Sequence, residues 1–436
     1  GFPQLFVLDS TVPASVLSIN RKIDPAHTLF LVSSKSGTTV EALSFYRYFR
    51  AKVEKAVGGK RAGRHFVAIT DAGTPLAKMA GEEGFRRAFL NPADIGGRYS
   101  VLSYFGLAPF ALAGVDIEAV LDRAERMCHA CASCVPVQGN PGAWLGAVMG
   151  VLAVKGRDKL TIITSPSISS FGLWAEQLIA ESTGKQNTGI VPVAGEPIVS
   201  PEFYGKDRVF AYLRLDGDDN ADLDRVSEAL RKAGNPLVRL DLRDRNDLGA
   251  EFFRWEFATA IAGSILRINP FDQPNVQRSK DITSRLLEQY GETGKLPEVA
   301  APVSVERLLR GVSPGKYLAI MAYVCQTPGL DRAFRDLRRK VLERHGIATT
   351  LGYGPRFLHS TGQLHKGGPD TGLFLQITAG RRSDVPVPGQ PYTFGVLADA
   401  QALGDLQALR AAGRQVARVH LVSGSEAAVR ELVNGL

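Results

Sequence analysis

The chain has 436 residues, 44% of them hydrophobic, with 52 lysines and arginines against 44 aspartates and glutamates. This length predicts two or three domains, and the composition is that of a globular protein. No apolar run is long enough to cross a membrane, and four cysteines are too few for a disulfide framework, so we expect a cytoplasmic protein. The net charge of +8 is spread along the chain, which favours an anionic small substrate over nucleic acid.

The chain opens with GFPQLFVLDST, which lacks an initiator methionine and does not show the basic flank and apolar core expected of a signal peptide. Strand and helix patterns then alternate, with apolar strands predicted at 28–34, 65–70, 159–166, 209–215 and 236–242. Amphipathic or apolar helices lie between them. This alternation predicts an α/β fold with mostly parallel sheets. We expect domain limits at 1–125, 126–295 and 296–436, the last joined by the linker LPEVAAPVSVERLL (296–309).

Three of the four cysteines crowd into the segment CHACASC, at Cys128, Cys131 and Cys134. Such a cluster is compatible with a metal site, but the preceding residues keep helical period from Val115. We therefore interpret the segment as the tail of a helix and predict no metal. The fourth cysteine, Cys325, is predicted to lie in the apolar strand YLAIMAYVC.

The segment LVSSKSGTTVE places a hydroxyl-rich turn between a strand and a helix. Free N–H groups at the helix start, together with these hydroxyls, would form an anion cradle, most simply for phosphate. A helix cap needs only one hydroxyl, and the Walker spacing is absent, so we predict a phosphorylated metabolite rather than a nucleotide. The hydroxyls are those of Ser33, Ser34, Ser36, Thr38 and Thr39.

Three later stretches hold the other candidate residues. In DIGGRYSVLS, Gly97 and its neighbour present Arg98, either to a developing oxyanion or as a surface arginine on a turn. In EQLIAESTGK, Glu181 ends a helix at the edge of a core, where desolvation would raise its pKa toward that of a general base; an ordinary helix stop is the alternative. In INPFDQPNVQRSK, a proline-stiffened loop offers Gln273 and Lys280 as polar contacts.

In this order, the four stretches resemble the phosphoglucose isomerase family. The matching motifs are Ser-Lys-x-x-Thr-Thr, Gly-Gly-Arg-Tyr-Ser, Glu-Ser-x-Gly-Lys and Phe-Asp-Gln followed by a lysine. They fall on Ser34, Lys35, Ser36, Thr38 and Thr39; on Gly96 to Ser100; on Glu181 to Lys185; and on Phe271, Asp272, Gln273 and Lys280. The resemblance implies two flavodoxin-like sugar-isomerase (SIS) domains, with a further α/β segment at the C-terminus.

The resemblance also implies a reaction, the interconversion of glucose 6-phosphate and fructose 6-phosphate through a cis-enediolate, without metal or redox cofactor. Glu181 would move a proton between C2 and C1, and Arg98 would stabilise the enediolate. Lys280 and a histidine would assist ring opening. The hydroxyl loop with Lys35 would hold the 6-phosphate, and Gly97 and Gln273 would contact the substrate.

The histidine departs from the family pattern, in which it lies between the glutamate and the lysine. Here no histidine occurs between His129 and His345. We expect His365, with His359 as the second candidate, to replace it from GPRFLHSTGQLHKGGP, which its glycines and prolines predict to be an irregular loop. Alternatively the loop is structural or a dimer contact, and Lys280 acts alone. Since the family histidine comes from a neighbouring subunit, a homodimer is implied.

The C-terminal third resembles the isomerase half of bacterial bifunctional transaldolase/phosphoglucose isomerases. This implies a fragment whose full-length chain has a transaldolase domain upstream. Two other functions stay open at this point. One is a related isomerase that also accepts mannose 6-phosphate, or the isomerase half of an aminosugar synthase. The other is a non-catalytic SIS protein that binds a sugar phosphate.

Overall fold

The computed structural model describes residues 1–298 and 304–435, and within them eleven strands form three parallel sheets. The strands are β1 (Phe30–Ser33), β2 (Phe66–Asp71), β3 (Arg87–Asn91), β4 (Lys159–Thr164), β5 (Val191–Ala194), β6 (Arg208–Leu215), β7 (Leu237–Leu242), β8 (Tyr317–Tyr323), β9 (Ala348–Tyr353), β10 (Gly372–Ala379) and β11 (Gln415–Leu421). The sheets have the orders β1-β2-β3, β5-β4-β6-β7 and β9-β8-β10-β11. The two four-stranded sheets thus share the flavodoxin-like order two-one-three-four.

Helices connect and cover the strands. They are α1 (Pro13–Lys22), α2 (Val40–Val57), α3 (Gly59–Ala62), α4 (Pro75–Glu82), α5 (Tyr104–Leu112), α6 (Ile117–Ala130), α7 (Pro141–Val154), α8 (Phe171–Thr183), α9 (Ala221–Lys232), α10 (Leu248–Ile265), α11 (Val276–Thr293), α12 (Val305–Leu309), α13 (Pro328–His345), α14 (Gly362–Gly367), α15 (Phe394–Ala411) and α16 (Glu426–Gly435). The predicted α/β class with parallel sheets is confirmed. The predicted strands correspond to β1, β2, β4, β6 and β7.

The strands read as continuous apolar runs because both faces of each sheet are covered. In β6 every residue except Arg214 is buried, and in β8 and β10 every residue is buried. Parallel sheets with helices on both sides require this pattern. One sheet lies within each of the three predicted domains. However, α11 packs against α15 through Ile282, Leu286 and Leu403, so residues of the second predicted domain share a core with the third.

Helix α8 is largely buried and carries a candidate residue in its last turn. Ten of its thirteen residues are buried, and Phe171, Ala175 and Leu178 belong to the core of the second sheet. Its C-terminal end contacts α14 from the third sheet's segment. There the end of α8 and α14 approach so closely that Gly184 has no room for a side chain. A Cβ built on it would stand 2.3 Å from Leu364 Cα. Packing on both sides therefore fixes the end of α8.

Three local predictions need correction. The stretch 354–369 is not wholly irregular, since it forms a 3-10 turn at Arg356–His359 and then the short helix α14. Its prolines flank these turns rather than interrupt them, and all of α14 is buried, so packing outweighs the poor helix propensity of glycine. Cys325 lies beyond the end of β8. The linker 296–309 includes 299–303, which lie outside the described residues, and it ends in α12.

The cysteine-rich segment surrounds the end of α6, with Cys131 buried and Cys128 and Cys134 exposed, all three as free thiols. Within residues 1–298 and 304–435, no three His, Cys, Asp or Glu side chains are grouped as a metal ion would need. Across the same part of the chain, every helix is too short or too polar to cross a membrane.

Candidate functional site

The hydroxyl loop lies at the carboxyl end of β1 and leads directly into α2. Ser34 Oγ and Thr39 Oγ1 are 2.8 Å apart, and Ser36 Oγ and Thr38 Oγ1 are 2.9 Å apart, so the hydroxyls form two pairs across one turn. Gly37 adopts φ +67° at its centre. Ser36 and Thr38 are exposed, and free N–H groups of α2 follow, which is the arrangement an anion needs.

Lys35 is paired within the protein. Its Nζ pairs with the Asp71 carboxylate at the end of β2 and donates to Ala93 O at 3.0 Å. Because parallel strands end at one edge of the sheet, this lysine ties the hydroxyl loop to the segment that precedes Arg98. The charge of the Lys35 ammonium is therefore balanced by a carboxylate of the protein itself.

Arg98 joins three parts of the chain at a 3-10 turn, Gly97–Tyr99. Its side chain is only 2% exposed. The guanidinium donates to Ser182 Oγ on α8 at 2.7 Å, to Gln273 Oε1 at 2.7 Å and to Pro270 O at 2.6 Å. Five donors in a fixed plane suit such a position. Gly97 itself is exposed, and a Cβ built on it would meet no protein atom within 4 Å, so the turn is open on that side.

Glu181 lies beside this guanidinium. Its Oε1 is 3.4 Å from Arg98 Nη1, and Gln177, one helical turn earlier, donates to its Oε2 at 3.3 Å. Burial raises the pKa of Glu181, although Arg98, Gln177, His359 and Lys185 each act in the opposite direction. A carboxylate with a raised pKa, held next to a fixed positive charge, can accept a proton while its neighbour stabilises an anion.

A cavity of about 250 Å³ borders Arg98 and Gln177. Its remaining wall is largely apolar and includes Phe105, Phe110 and Trp174. The cavity thus adjoins both residues that contact the Glu181 carboxylate, Arg98 and Gln177.

Lys185 holds the loop that follows α10 in place through hydrogen bonds. Its buried Nζ donates to Asn269 O and to Asp272 Oδ1, both at 2.7 Å. Burial lowers the pKa of Lys185, and Asp272 opposes that effect. The brace leaves Phe271 and Gln273 exposed at the surface of the loop, with the Gln273 amide oxygen already bound to Arg98.

His359 reaches the same region from the third sheet. It ends the 3-10 turn that follows β9, and its Nε2 lies 2.9 Å from Glu41 Oε1, in the first turn of α2. Burial alone would lower the pKa of His359, but the charge and hydrogen bond of Glu41 outweigh it, and the pKa is raised. Likewise, burial would raise the pKa of Glu41, but His359 holds it below its ordinary value. The imidazole keeps 37% of its surface exposed, so a ligand can reach it.

Lys280 is exposed on α11, and its charge acts on the pair formed by Glu41 and His359. Its ammonium lowers the pKa of both Glu41 and His359. The charge of Glu181, in turn, acts on His359. The structure therefore pairs Arg98 with Glu181 and with Gln273, and pairs His359 with Glu41, while the charges of Glu181 and Lys280 both act on His359.

His365 does not join this group. It is 3% exposed in α14, with its ring against Phe357 and Phe374. Neither ring nitrogen has a hydrogen-bond partner among the described residues. Burial lowers the pKa of His365 well below its ordinary value, so the ring is neutral. Of the two candidate histidines, His359 is thus the one that contacts Glu41, and His365 is the one enclosed by apolar rings.

Sequence reasoning missed two residues of this site and one contact. Gln177 carries a signal that could have found it, since it lies four positions before Glu181 on a helix. Glu41 carries a similar one, since it lies in the first turn after the hydroxyl loop. Ser182 accepts from Arg98 across 84 positions, and no local pattern marks that contact.

Comparisons with known proteins agree on one family. A family model described as phosphoglucose isomerase matches residues 4–195. The chain is 30% identical over 319 residues to a probable glucose-6-phosphate isomerase of Methanococcus maripaludis, covering 65% of this chain and 71% of the relative. It is 30% identical over 318 residues to a glucose-6-phosphate isomerase of Methanocaldococcus jannaschii, covering 65% of this chain and 78% of the relative.

Two solved structures share the architecture. A hypothetical protein of Thermus thermophilus superposes with TM-score 0.56 at 26% identity, covering 63% of this chain and 74% of that one. A glucose-6-phosphate isomerase of Chlamydia trachomatis superposes with TM-score 0.56 at 20% identity, covering 66% of this chain and 64% of that one. The second likeness bears on the fold alone.

Proposed function

The chain belongs to the phosphoglucose isomerase family, and we propose that it interconverts glucose 6-phosphate and fructose 6-phosphate through a cis-enediolate. The observation that carries the proposal is the pair formed by Glu181 and Arg98, 3.4 Å apart at the end of α8. Glu181 takes up a proton from the sugar, and the guanidinium of Arg98 stabilises the negative charge that is left on the sugar oxygen. Such a pair is what an aldose–ketose isomerisation requires.

Glu181 is the proposed base. Its carboxylate removes the proton from C2 of the open-chain aldose, and the electron pair moves through C1 onto the carbonyl oxygen. The proton of the C2 hydroxyl passes to the C1 oxygen, so that C2 becomes the carbonyl, and the same carboxyl returns its proton to C1; the step needs no oxidant or metal. Arg98 stabilises the intermediate oxyanion, and a fixed charge of this kind contributes roughly 3 to 4 kcal/mol.

His359 and Lys280 are the proposed ring-opening residues. The raised pKa of His359 lets its imidazole hold a proton beside Glu41 to a higher pH than an unperturbed histidine would. Protonated, it can donate its proton to the ring oxygen as the C1–O5 bond breaks, while the C1 hydroxyl releases its proton to water and becomes the carbonyl. Lys280 adds positive charge nearby. His365, buried and neutral, has no such role in this proposal.

The hydroxyl loop is the proposed phosphate site, with contacts from Ser34, Ser36, Thr38, Thr39 and the N–H groups of α2. Lys35 acts as a brace, through Asp71, and contributes positive charge at longer range. Glu41 follows this loop directly and binds His359, which supports a substrate that spans both places. Gly97 and Gln273 border the sugar end.

Two further proposals rest on the resemblance, a transaldolase domain in the full-length protein and a homodimer. A cytoplasmic location is proposed from the low cysteine content. His359 meets Glu41 within one chain, so this histidine needs no second copy to reach the proposed site.

The substitution Glu181→Gln tests the assignment of the base. It keeps the shape of the side chain but cannot accept a proton, so kcat should fall by about 10² to 10⁴. Binding of 6-phosphogluconate, an open-chain sugar phosphate, should stay close to that of the parent. Turnover is measured in a coupled assay, and binding by calorimetry.

Glu118→Gln, an exposed glutamate on α6, is the matched control and should behave like the parent. Near-normal turnover of Glu181→Gln would refute the role of Glu181. The same assay run with mannose 6-phosphate distinguishes a dual-specificity isomerase. A parent protein that binds 6-phosphogluconate but turns over neither sugar would point instead to a sugar-phosphate-binding protein.

A further inference from the structure

The carboxylate that binds His359 is itself held by a second residue. Glu41 Oε1 accepts hydrogen bonds from His359 Nε2 at 2.9 Å and from Gln401 Nε2 at 2.7 Å. Gln401 lies on α15 and is only 2% exposed. One carboxylate oxygen thus serves two donors, one from the proposed site and one from the interior of the third sheet's segment.

The orientation of the Gln401 amide is fixed from its other side. Thr11, which is fully buried, donates its hydroxyl to Gln401 Oε1 at 2.7 Å. With the amide reversed, two oxygens would face each other at the Glu41 contact, which is repulsive. The order of donors therefore runs from Thr11 to Gln401 to Glu41, and all three side chains are buried.

We propose that Gln401 is a positioning residue, which holds the Glu41 carboxylate against His359 and is itself aligned by Thr11. This inference rests on the proposed function, because it gives His359 the ring-opening role. A buried carboxylate bound at one point can rotate about its own side chain. A second bond to the same oxygen confines that rotation, and bonds to charged groups are the stronger class.

The charges that face His359 come from three helices. They are Glu41 on α2, Glu181 on α8 and Lys280 on α11. Of these, only Glu41 forms a hydrogen bond with the ring among the described contacts. When Gln401 no longer holds it, Glu41 pairs less closely with His359. The pKa of His359 then falls back toward that of an exposed histidine, and the protonated form is lost at lower pH.

Three variants test the proposal. Gln401→Met keeps the size of the side chain and removes the donor. Thr11→Val keeps its shape and removes only the hydroxyl that aligns the amide. Gln376→Met is the matched control, since Gln376 is another fully buried glutamine, bound through Nε2 to Ala402 O at 2.9 Å on the same helix but not to Glu41.

Two measurements are made on each variant. The first is the imidazole pKa of His359 by NMR titration, with the signal assigned from His359→Gln. The second is the pH profile of kcat/KM with cyclic glucose 6-phosphate and with a substrate locked in its open-chain form. Thermal melting is followed alongside, so that a general loss of stability is seen separately.

For Gln401→Met we expect the pKa of His359 to fall by about one unit. We also expect kcat/KM for the cyclic sugar to fall about tenfold, with the open-chain rate retained. Thr11→Val should also lower the pKa of His359 and kcat/KM for the cyclic sugar, but by less than Gln401→Met does. Gln376→Met should lower the melting temperature and leave the pKa of His359 where it is.

An unchanged pKa of His359 in Gln401→Met or, if that variant does not fold, in Thr11→Val would overturn the proposal. So would an equal shift in Gln376→Met. Failure of the proposed function looks different: the parent would lack isomerase activity while the NMR shift in Gln401→Met persisted. The NMR titration of His359 therefore tests the positioning role of Gln401 independently of isomerase activity.

Discussion

Glu181 and His359 have raised pKa values for opposite physical reasons. For Glu181 the cause is burial, which disfavours the carboxylate. For His359 burial works against the shift, and the negative charge of Glu41 outweighs it. A base must be ionised and an acid protonated to act, so the two residues define the lower and the upper limit of a working pH range.

This range gives a prediction at the scale of single residues. With cyclic glucose 6-phosphate, kcat/KM should fall below the pKa of Glu181 and again as pH rises through the raised pKa of His359. The sign follows from the folded state, since His359 retains its proton above the pH at which an unperturbed histidine loses it. With an open-chain substrate only the acid limb should remain. Steady-state rates across pH check this.

The two histidines of the 354–369 stretch provide the control. His359→Ala should remove the alkaline limb and most activity on the cyclic sugar. His365→Ala should lower the melting temperature, because it opens a cavity between Phe357 and Phe374, and should affect both substrates equally. A selective loss with His365→Ala would show that the wrong histidine has been assigned.

At the scale of elements, the hydroxyl loop depends on the conformation of Gly37. Its φ of +67° favours glycine, and a Cβ here would stand 2.8 Å from Leu76 N at the start of α4. Gly37→Ala should therefore displace the loop and raise KM for glucose 6-phosphate about tenfold. Steady-state kinetics measure this directly.

Gly58 offers the matched control at the other end of α2. It has φ +82°, but a Cβ built there meets nothing within 4 Å. Gly58→Ala should therefore cost comparable backbone strain, seen as a lower free energy of unfolding, without a change in KM. If both variants raise KM equally, the loop is not the phosphate site.

The elements themselves were largely predictable, and the contacts between them were not. Apolar strand patterns and the motif around Glu181 are local, so the sheets and the place of Glu181 at the end of a helix could be predicted from the sequence. The choice between His359 and His365 is not local. It depends on how α14 packs, since burial of Leu364 against Gly184 turns His365 inward and leaves His359 near Glu41. Glu41 and His359 are 318 positions apart.

At the scale of the whole molecule, a buried ion pair helps to join the second sheet to the third. Arg208 Nη1 lies 2.8 Å from Glu196 Oε2, and both side chains are almost fully buried. Glu196 Oε1 accepts from Thr349 N of β9 at 2.7 Å. Arg338 of α13 donates to Gly195 O at 2.8 Å, so a second residue of the third sheet's segment contacts the turn that holds Glu196.

Removing one partner of this pair should be costly. Arg208→Met leaves the Glu196 charge buried without its counter-ion, and we expect the free energy of unfolding to fall by about 3 to 5 kcal/mol. Urea denaturation measures it. Arg231→Met, which removes an exposed arginine paired with Glu228 on α9, should have little effect. Similar losses in both variants would contradict the importance assigned to burial.

The contact between Thr11 and Gln401 has a consequence for the order of folding. The two residues are 390 positions apart, so the bond closes a loop of nearly the whole chain. Contacts of such separation form late, after local helices and strand pairs. During synthesis, the N-terminal segment must wait for α15 before Glu41 is aligned. Isomerase activity on the cyclic sugar should thus be the last property to return when the unfolded chain refolds, well after its helical signal.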